Sequence, residues 1–309
     1  MNNQSKIALI GLGAIGAPLA NLLYKKYKER FVLLSSKDFL YTLTEKGLVI
    51  NNEPFRPGIV SDREQLDVPL GVVFVCVKNY HIENTVKFLK EIVDKETIII
   101  PLQNGVYSYD YFKKHMPDNV ILEGFAKGPN TKVCGNVFEY QKPGSFHIGS
   151  SFSEYREDAE FVWKLMKEAE IDCFYDNEIK KEIWKKLMLN VAGNAITAIT
   201  GIDYCMFKQS EEVQTLCVRT MEEFIKVASS QGITLTENDI KDVIDYYLSF
   251  NVSKHTSMLE DVLNKRPTEN EYIAGYISKL AKKYDIYTPN IDMLYSLVKI
   301  KEDVYLGRI

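Results

Sequence analysis

"KIALIGLGAIGAPLANLL", residues 6–23, decides the fold. A short apolar run ends at Gly11, and a helical pattern begins by residue 14. Between them glycine recurs as G-x-G-x-x-G, at Gly11, Gly13 and Gly16. That spacing alone is a weak signal, and a glycine-rich turn without a ligand would also produce it. Placed between a strand and a helix, it reads as a dinucleotide-binding turn. Gly11 permits the tight turn, Gly13 lets a pyrophosphate approach the backbone, and Gly16 lets helix and strand pack closely. The turn Gly11, Leu12, Gly13, Ala14, Ile15 and Gly16 is therefore assigned to cofactor binding. The helix N-terminus adds N–H donors and partial positive charge. Lys6 is the one basic residue ahead of the apolar run, so the stretch is not read as a targeting signal.

Outward from this unit, strand and helix alternate. "FVLL" (31–34), "GVVFVCV" (71–77), "TIIIPL" (97–102) and "NVILEG" (119–124) are apolar runs suited to strands buried on both faces. Helices are expected over 14 to 28 and 80 to 92. Alternating units of this kind build a doubly wound parallel sheet of Rossmann type, an α/β class. "PGSFHIG" (143–149) is expected to add an antiparallel strand. After residue 177 the strand signal stops. "IKKEIWKKLMLNVAGNAITAI" (179–199) reads as one long helix. Others are expected over 210–230, from Thr236, and over 288–301. "RPTENEYIAGYISKLAKKYD" (266–285) begins with Thr268 and has Glu271 three later, a capping-box pattern. The expected domains are a dinucleotide-binding domain over 1–177 and an all-helical substrate domain over 178–309.

Composition narrows the function. The chain has 309 residues, 46% of them hydrophobic, and a net charge of −4 without a long basic run. Nucleic-acid binding needs clustered cations, so it is not expected. The five cysteines, Cys76, Cys134, Cys173, Cys205 and Cys217, form no CxxC and read as reduced thiols of a cytoplasmic protein. Four histidines without ligand spacing argue against a metal. No other stretch approaches the apolar length of a membrane span, about 20 residues. A homodimer is compatible with the sequence, which does not fix the oligomeric state.

Cofactor choice is read at the end of the second strand, about 20 residues past the glycines. An NAD enzyme usually has a carboxylate there. This chain has Ser35, Ser36 and Lys37, and no carboxylate before Asp38. Hydroxyls and a cation suit a 2′-phosphate, and Lys78 adds a cation at the same sheet edge. NADP(H) is the preferred cofactor, although the serines also suit a plain turn. Asn104, in "LQNGV" (102–106), follows the fourth strand. It stands where nicotinamide or substrate binds, although Asn-Gly is also a turn signal.

The helix over 179–199 holds one more pattern. Lys186, Asn190 and Asn194 recur every four residues, so in an α-helix two steps drift only about 80° and the three share a stripe. The sequence also allows Lys186 to be one of a solvated basic face with Lys180, Lys181 and Lys185.

Taken in order, these pieces resemble the ketopantoate reductase (2-dehydropantoate 2-reductase) family nearly end to end. They are "GLGAIG", "VCVKNY" with Lys78, "LQNG" with Asn104, "WKKLMLNVAGNAITAI" with Lys186, Asn190 and Asn194, "TSMLED" with Ser257, and "RPTENEYIAG" with Glu269. The resemblance implies NADPH-dependent reduction of a 2-keto acid, most directly ketopantoate to pantoate in pantothenate synthesis. It implies Lys186, two after Trp184, as general acid, with Lys185 pointing elsewhere. It implies Asn190, Asn194 and Ser257 on the substrate's carboxylate and hydroxyl, and Glu269 against substrate or lysine. Without it, Ser257 reads as loop chemistry and Glu269 as a helix-start carboxylate. The chemistry agrees: hydride delivery leaves charge on the ketone oxygen, which an ammonium stabilises and then protonates. The other readings are a D-2-hydroxyacid dehydrogenase of the same fold and, from another class, a non-catalytic dinucleotide sensor. Lys186 and Glu269 together argue against the sensor.

Overall fold

The computed structural model describes residues 5–36, 47–129 and 131–309. The chain divides into two units, Met1–Asn104 with Ser108–Lys180, and Gly105–Tyr107 with Lys181–Ile309.

The first unit has a parallel α/β sheet as its frame. Its strands in chain order are β1 (Lys6–Ile10), β2 (Phe31–Leu34), β3 (Leu48–Ile50), β4 (Glu53–Phe55), β5 (Gly58–Val60), β6 (Leu70–Val75), β7 (Ile98–Pro101), β8 (Val120–Ile121), β9 (Glu123–Lys127), β10 (Thr131–Cys134), β11 (Val137–Tyr140), β12 (Ser145–Gly149) and β13 (Cys173–Tyr175). Six form one sheet in the order β5-β2-β1-β6-β7-β8, every pair parallel. Ile7, Leu9, Phe31, Leu33, Val72, Phe74, Ile98 and Ile100 from its strands share one buried apolar cluster with Leu19 and Leu23 of the helix Gly16–Tyr27. Alternate residues of both-face-buried strands enter such a core, which is why these runs are continuously apolar.

The register aligns the strand ends that matter. Ile10 pairs with Leu34 on one side and Val75 on the other, and Val75 pairs with Pro101. Gly11, Ser35, Cys76 and Leu102 therefore leave the sheet side by side at its carboxyl edge.

Two smaller sheets complete the unit. The expected run 119–124 splits: β8 stays in the parallel sheet, while β9 pairs antiparallel with β12, which pairs parallel with β13. The expected antiparallel strand near 143–149 is β12. A four-stranded sheet, β10-β11-β3-β4, was not foreseen from the sequence. Its strands are three or four residues long, and its one parallel pairing joins Val137 to Val49.

The second unit is helical. Its main helices are Ile179–Leu189, Ala195–Thr200, Glu211–Ser230, Glu237–Leu248, Ser257–Leu263, Ala274–Lys283 and Pro289–Tyr305. Buried carboxylates and a lysine fix their ends. Glu223 accepts from the backbone N–H of Asn290 and of Ile291, each at 3.0 Å, capping the last helix. Lys301 donates to the carbonyls of Ala198 and Ile199 at 2.9 Å, capping Ala195–Thr200. Thr236 and Asp239 form a capping box at Glu237–Leu248.

Two local expectations are corrected. Thr268 does not form a box with Glu271. Its hydroxyl and backbone N–H both donate to Glu302, at 2.5 and 2.9 Å, while Glu271 accepts from Lys279 and Tyr295. After Glu269 the chain makes a 3-10 turn, Asn270–Tyr272, and the regular helix begins only at Ala274. The long helix over 179–199 is also not continuous: Asn190–Asn194 is a π-helical turn between two α-helices.

Candidate active site

In the first unit the glycine turn has the shape of an anion cradle. Gly11 has φ +99°, and a Cβ there would lie 2.5 Å from the backbone nitrogen of Val77. A Cβ on Gly16 would lie 1.9 Å from the Gly11 carbonyl oxygen. Neither position tolerates a side chain. Gly13 differs, with nothing within 4 Å of its Cβ position. That is open space against bare backbone, at the start of a 12-residue helix with no side-chain cap and no acidic residue in its first turn. Leu12, Gly13 and Ile15 are half-buried and Ala14 is exposed. The Thr131 hydroxyl donates to the Ala14 carbonyl at 2.8 Å, tying the turn to β10. These residues fit a dinucleotide pyrophosphate.

Around the same edge, Ser35 is buried and its hydroxyl donates to the Ser36 carbonyl at 3.2 Å, while Ser36 is exposed. Lys37 lies outside the described residues. Lys78 is half-buried at the N-cap of the 3-10 turn Asn79–His81, three residues past β6. Asn104 is half-buried, and its carbonyl accepts from the Asn79 side chain at 3.0 Å. Gln103, buried beside it, donates to the Val75 carbonyl at 3.0 Å. Its Oε1 is buried and has no hydrogen-bond partner among the described residues. The sequence reading passed over Asn79 and Gln103. Both stand inside motifs it quoted, and two amides flanking strand ends were the available signal.

In the second unit the π turn organises the polar stripe. Asn190 and Asn194 are 5% and 3% exposed, and Asn194 Nδ2 donates to Asn190 Oδ1 at 3.1 Å. Asn190 Nδ2 is buried without a hydrogen-bond partner among the described residues. A buried amide donor left unsatisfied costs about 1–3 kcal/mol, so this donor needs an acceptor that the described residues do not supply. Lys186, one turn earlier, is half-buried. Lys185 is committed elsewhere: its Nζ lies 2.5 Å from Asp242 and 3.3 Å from Asp239. Burial disfavours its charge, but the two carboxylates outweigh that and hold its pKa above the ordinary lysine value.

Glu269 is buried at the N-cap of the 3-10 turn Asn270–Tyr272. Asn270 beside it donates to the Tyr295 carbonyl at 2.9 Å and keeps a buried Oδ1 with no partner among the described residues. Gly105, the residue after Asn104, has φ +88°, and its Cβ position is 3.5 Å from the Tyr272 carbonyl and 3.6 Å from Leu187. It thus sits between the neighbours of Glu269 and of Lys186. Ser257 is exposed at the start of its helix. The preceding Thr256 is buried, with its hydroxyl 2.7 Å from that of Thr197. His255 pairs with Glu260 at 2.7 Å. Among the described residues there is no cluster of His, Cys, Asp or Glu that could hold a metal, and no helix is long and apolar enough to cross a membrane.

The family model described as ketopantoate reductase PanE/ApbA matches residues 7–151, and that of the ketopantoate reductase PanE/ApbA C terminal matches 178–302. A 2-dehydropantoate 2-reductase of Lactococcus lactis subsp. lactis is 25% identical over 321 residues, spanning 97% of this chain and 98% of its own. Among solved structures, D-mandelate dehydrogenase with NADH and anilino(oxo)acetate has a TM-score of 0.86 at 23% identity, covering 97% of this chain and 99% of its own. A ketopantoate reductase from Staphylococcus aureus, described as dimeric, has a TM-score of 0.79 at 20% identity, with 97% and 99% covered. At these identities the two structures speak to the fold alone.

Proposed function

The chain belongs to the ketopantoate reductase family, and within it we propose that it reduces 2-dehydropantoate (ketopantoate) to (R)-pantoate with NADPH, in the cytoplasm, as a step of pantothenate biosynthesis. The observation that carries this reading is the unsatisfied buried Nδ2 of Asn190, one helical turn from Lys186. A 2-keto acid offers what such a stripe lacks, namely carboxylate and carbonyl oxygens to accept from a neutral amide and an ammonium.

NADPH, when bound, supplies a hydride to the keto carbon. The turn Gly11–Gly16 would hold the pyrophosphate on backbone N–H groups. Ser36, Lys37 and Lys78 would hold the 2′-phosphate, where a carboxylate would repel it. Gln103, with its unsatisfied Oε1, and Asn104 follow the fourth strand and would hold the nicotinamide or the substrate. As the carbonyl π electrons move onto oxygen, Lys186 stabilises the charge and gives its proton to that atom, forming the alcohol. The lysine then recovers a proton from water. Asn190, Asn194 and Ser257 hold the carboxylate and hydroxyl without competing for the proton, and Glu269 orients the ammonium or the substrate.

The D-mandelate dehydrogenase neighbour is described with NADH. The choice of NADPH here therefore rests on residues 35–37 and Lys78, not on fold. Steady-state oxidation of NADPH and NADH by the purified protein, with ketopantoate and with other branched 2-keto acids, tests the reading. The highest kcat/KM is expected for NADPH with ketopantoate. A preference for another 2-keto acid with NADH would replace it with a D-2-hydroxyacid dehydrogenase.

A further inference from the structure

Tyr247 meets the π turn at Asn190–Asn194 at two points. In an α-helix the Leu189 carbonyl would accept from the Gly193 N–H, four residues on; in an i→i+5 turn its backbone donor is the Asn194 N–H, which leaves room for a second donor. Here the Tyr247 hydroxyl donates to the Leu189 carbonyl at 3.0 Å. The same hydroxyl fills the space over Gly193, where a Cβ would lie 1.7 Å from the phenolic oxygen and 2.2 Å from the carbon that bears it. Only glycine fits under this tyrosine. Tyr247 is itself fully buried and held by stacking on Phe207 at 4.6 Å and by Tyr204 at 5.5 Å. Its helix, Glu237–Leu248, is pinned to Ile179–Leu189 a second time, through Asp239 and Asp242 on Lys185. Burial raises the tyrosine pKa, so the hydroxyl stays a donor across the working range.

The turn alters the stripe. In a continuous α-helix Asn194 would drift about 80° from Lys186. A turn bonded i→i+5 has about 4.4 residues per turn, or about 82° per residue. The step from Asn190 to Asn194 then falls about 30° short of a full turn, where the α step overshoots by about 40°. The two steps nearly cancel, and Asn194 returns close to the direction of Lys186. π turns inside α-helices are frequent at functional sites.

We propose that Tyr247 is a positioning residue for substrate binding: its hydroxyl on the Leu189 carbonyl, admitted by Gly193, holds the π turn that keeps Asn190 and Asn194 in line with Lys186. The proposal rests on the 2-keto acid reading of the stripe, and its test separates the two.

Tyr247→Phe keeps the ring stack and removes only the hydroxyl. The expected result is a KM for the 2-keto acid raised about 10-fold, as for a lost hydrogen bond at a buried acceptor, with KM and Kd for NADPH unchanged. A crystal structure of the variant should show residues 190–194 tightened toward α geometry and the Asn190–Asn194 amide contact broken. A merely structural tyrosine would lower the yield of active enzyme and leave both KM values alone. An unchanged 2-keto acid KM with an intact π turn overturns the proposal. If the wild-type protein reduces no 2-keto acid, the functional reading fails and the proposal with it, even where the crystal structure upholds the tyrosine's hold on the turn. Gly193→Ala should disrupt the site more severely. If it does not fold, Tyr247→Phe still decides.

Discussion

The side-chain amide of Asn194 donates to the side-chain oxygen of Asn190, with both residues buried in the same helical turn. The bond uses the acceptor of Asn190 and leaves its amide nitrogen as a donor. If that donor serves the substrate, Asn190→Ala should raise the KM for 2-keto acid about 10-fold, a loss of order 1.4 kcal/mol. Asn194→Ala should act more weakly, through the freedom it gives Asn190. On the proposed assignment of the cofactor to the other unit, NADPH affinity should not move. An Asn190→Ala enzyme with unchanged KM and kcat would remove the amide from the substrate site.

The three glycines of the first turn should separate stability from binding. A Cβ on Gly11 or Gly16 meets backbone at 2.5 or 1.9 Å. Overpacking of this kind costs about 1–3 kcal/mol or more, so either alanine variant should melt several degrees lower. Gly13 is not among the residues with positive φ and has open space at its Cβ. Gly13→Ala should therefore melt near the wild-type temperature yet bind NADPH at least about 10-fold more weakly, because the methyl group occupies the pyrophosphate's approach. Thermal melts with and without NADPH read both effects. A Gly13→Ala protein that binds normally would place the phosphates elsewhere.

Cofactor preference gives a third test. NADPH should bind more tightly than NADH, and Lys78→Ala should weaken NADPH more than NADH. Titration of the wild type and the variant with both nucleotides measures this. Equal or tighter NADH binding by the wild type would contradict the assignment of residues 35–37.

What was legible in the sequence was local. The strand-turn-helix at residues 6–27 is specified by glycine spacing and periodicity within one short window, and the structure has β1 and the helix Gly16–Tyr27 there. The i, i+4 spacing of Asn190 and Asn194 likewise announced a shared face. The features that escaped depend on distant partners. The π turn answers a tyrosine 58 residues from Leu189. Thr268 is claimed by Glu302, 34 residues on, in place of Glu271. The second sheet joins Val49 to Val137 through strands too short to show periodicity. Gln103 carried in the sequence only the weak signal of an amide after a strand end, while its unsatisfied buried oxygen depends on tertiary packing.

Acid should weaken the second unit through Asp239. Burial alone would raise its pKa, but hydrogen bonds from the Thr236 backbone and hydroxyl and the nearby Lys185 prevail and hold it below the ordinary 3.8. A depressed carboxylate stabilises the fold fully above its unfolded pKa, and that contribution is lost as pH falls through the folded value. The Asp239 contribution should therefore decline below about pH 4. Asp239→Asn should be less stable than wild type at neutral pH, and the gap should narrow as pH drops below that point. Urea unfolding at several pH values measures the gap, and a constant difference would rule out the linkage.

Lys185 and Lys186 are adjacent, yet they should behave oppositely. Lys185 is engaged by Asp239 and Asp242, so Lys185→Ala should cost some stability while leaving kcat within about two-fold, since partly exposed ion pairs contribute little. Lys186, about 100° around the helix, shares its stripe with Asn190. Lys186→Ala should bind NADPH normally, because the proposed phosphate site lies in the first unit. It should lower kcat by about 10² to 10⁴, the range for a positioned general acid. Because the proton is delivered in the transition state, kcat and kcat/KM should fall together. Steady-state kinetics and NADPH titration on the two variants decide. A crippled Lys185→Ala beside a near-normal Lys186→Ala would mean that the register of the stripe is wrong. If neither substitution lowers kcat, the ketone oxygen is protonated by another group, and Glu269 becomes the next residue to replace.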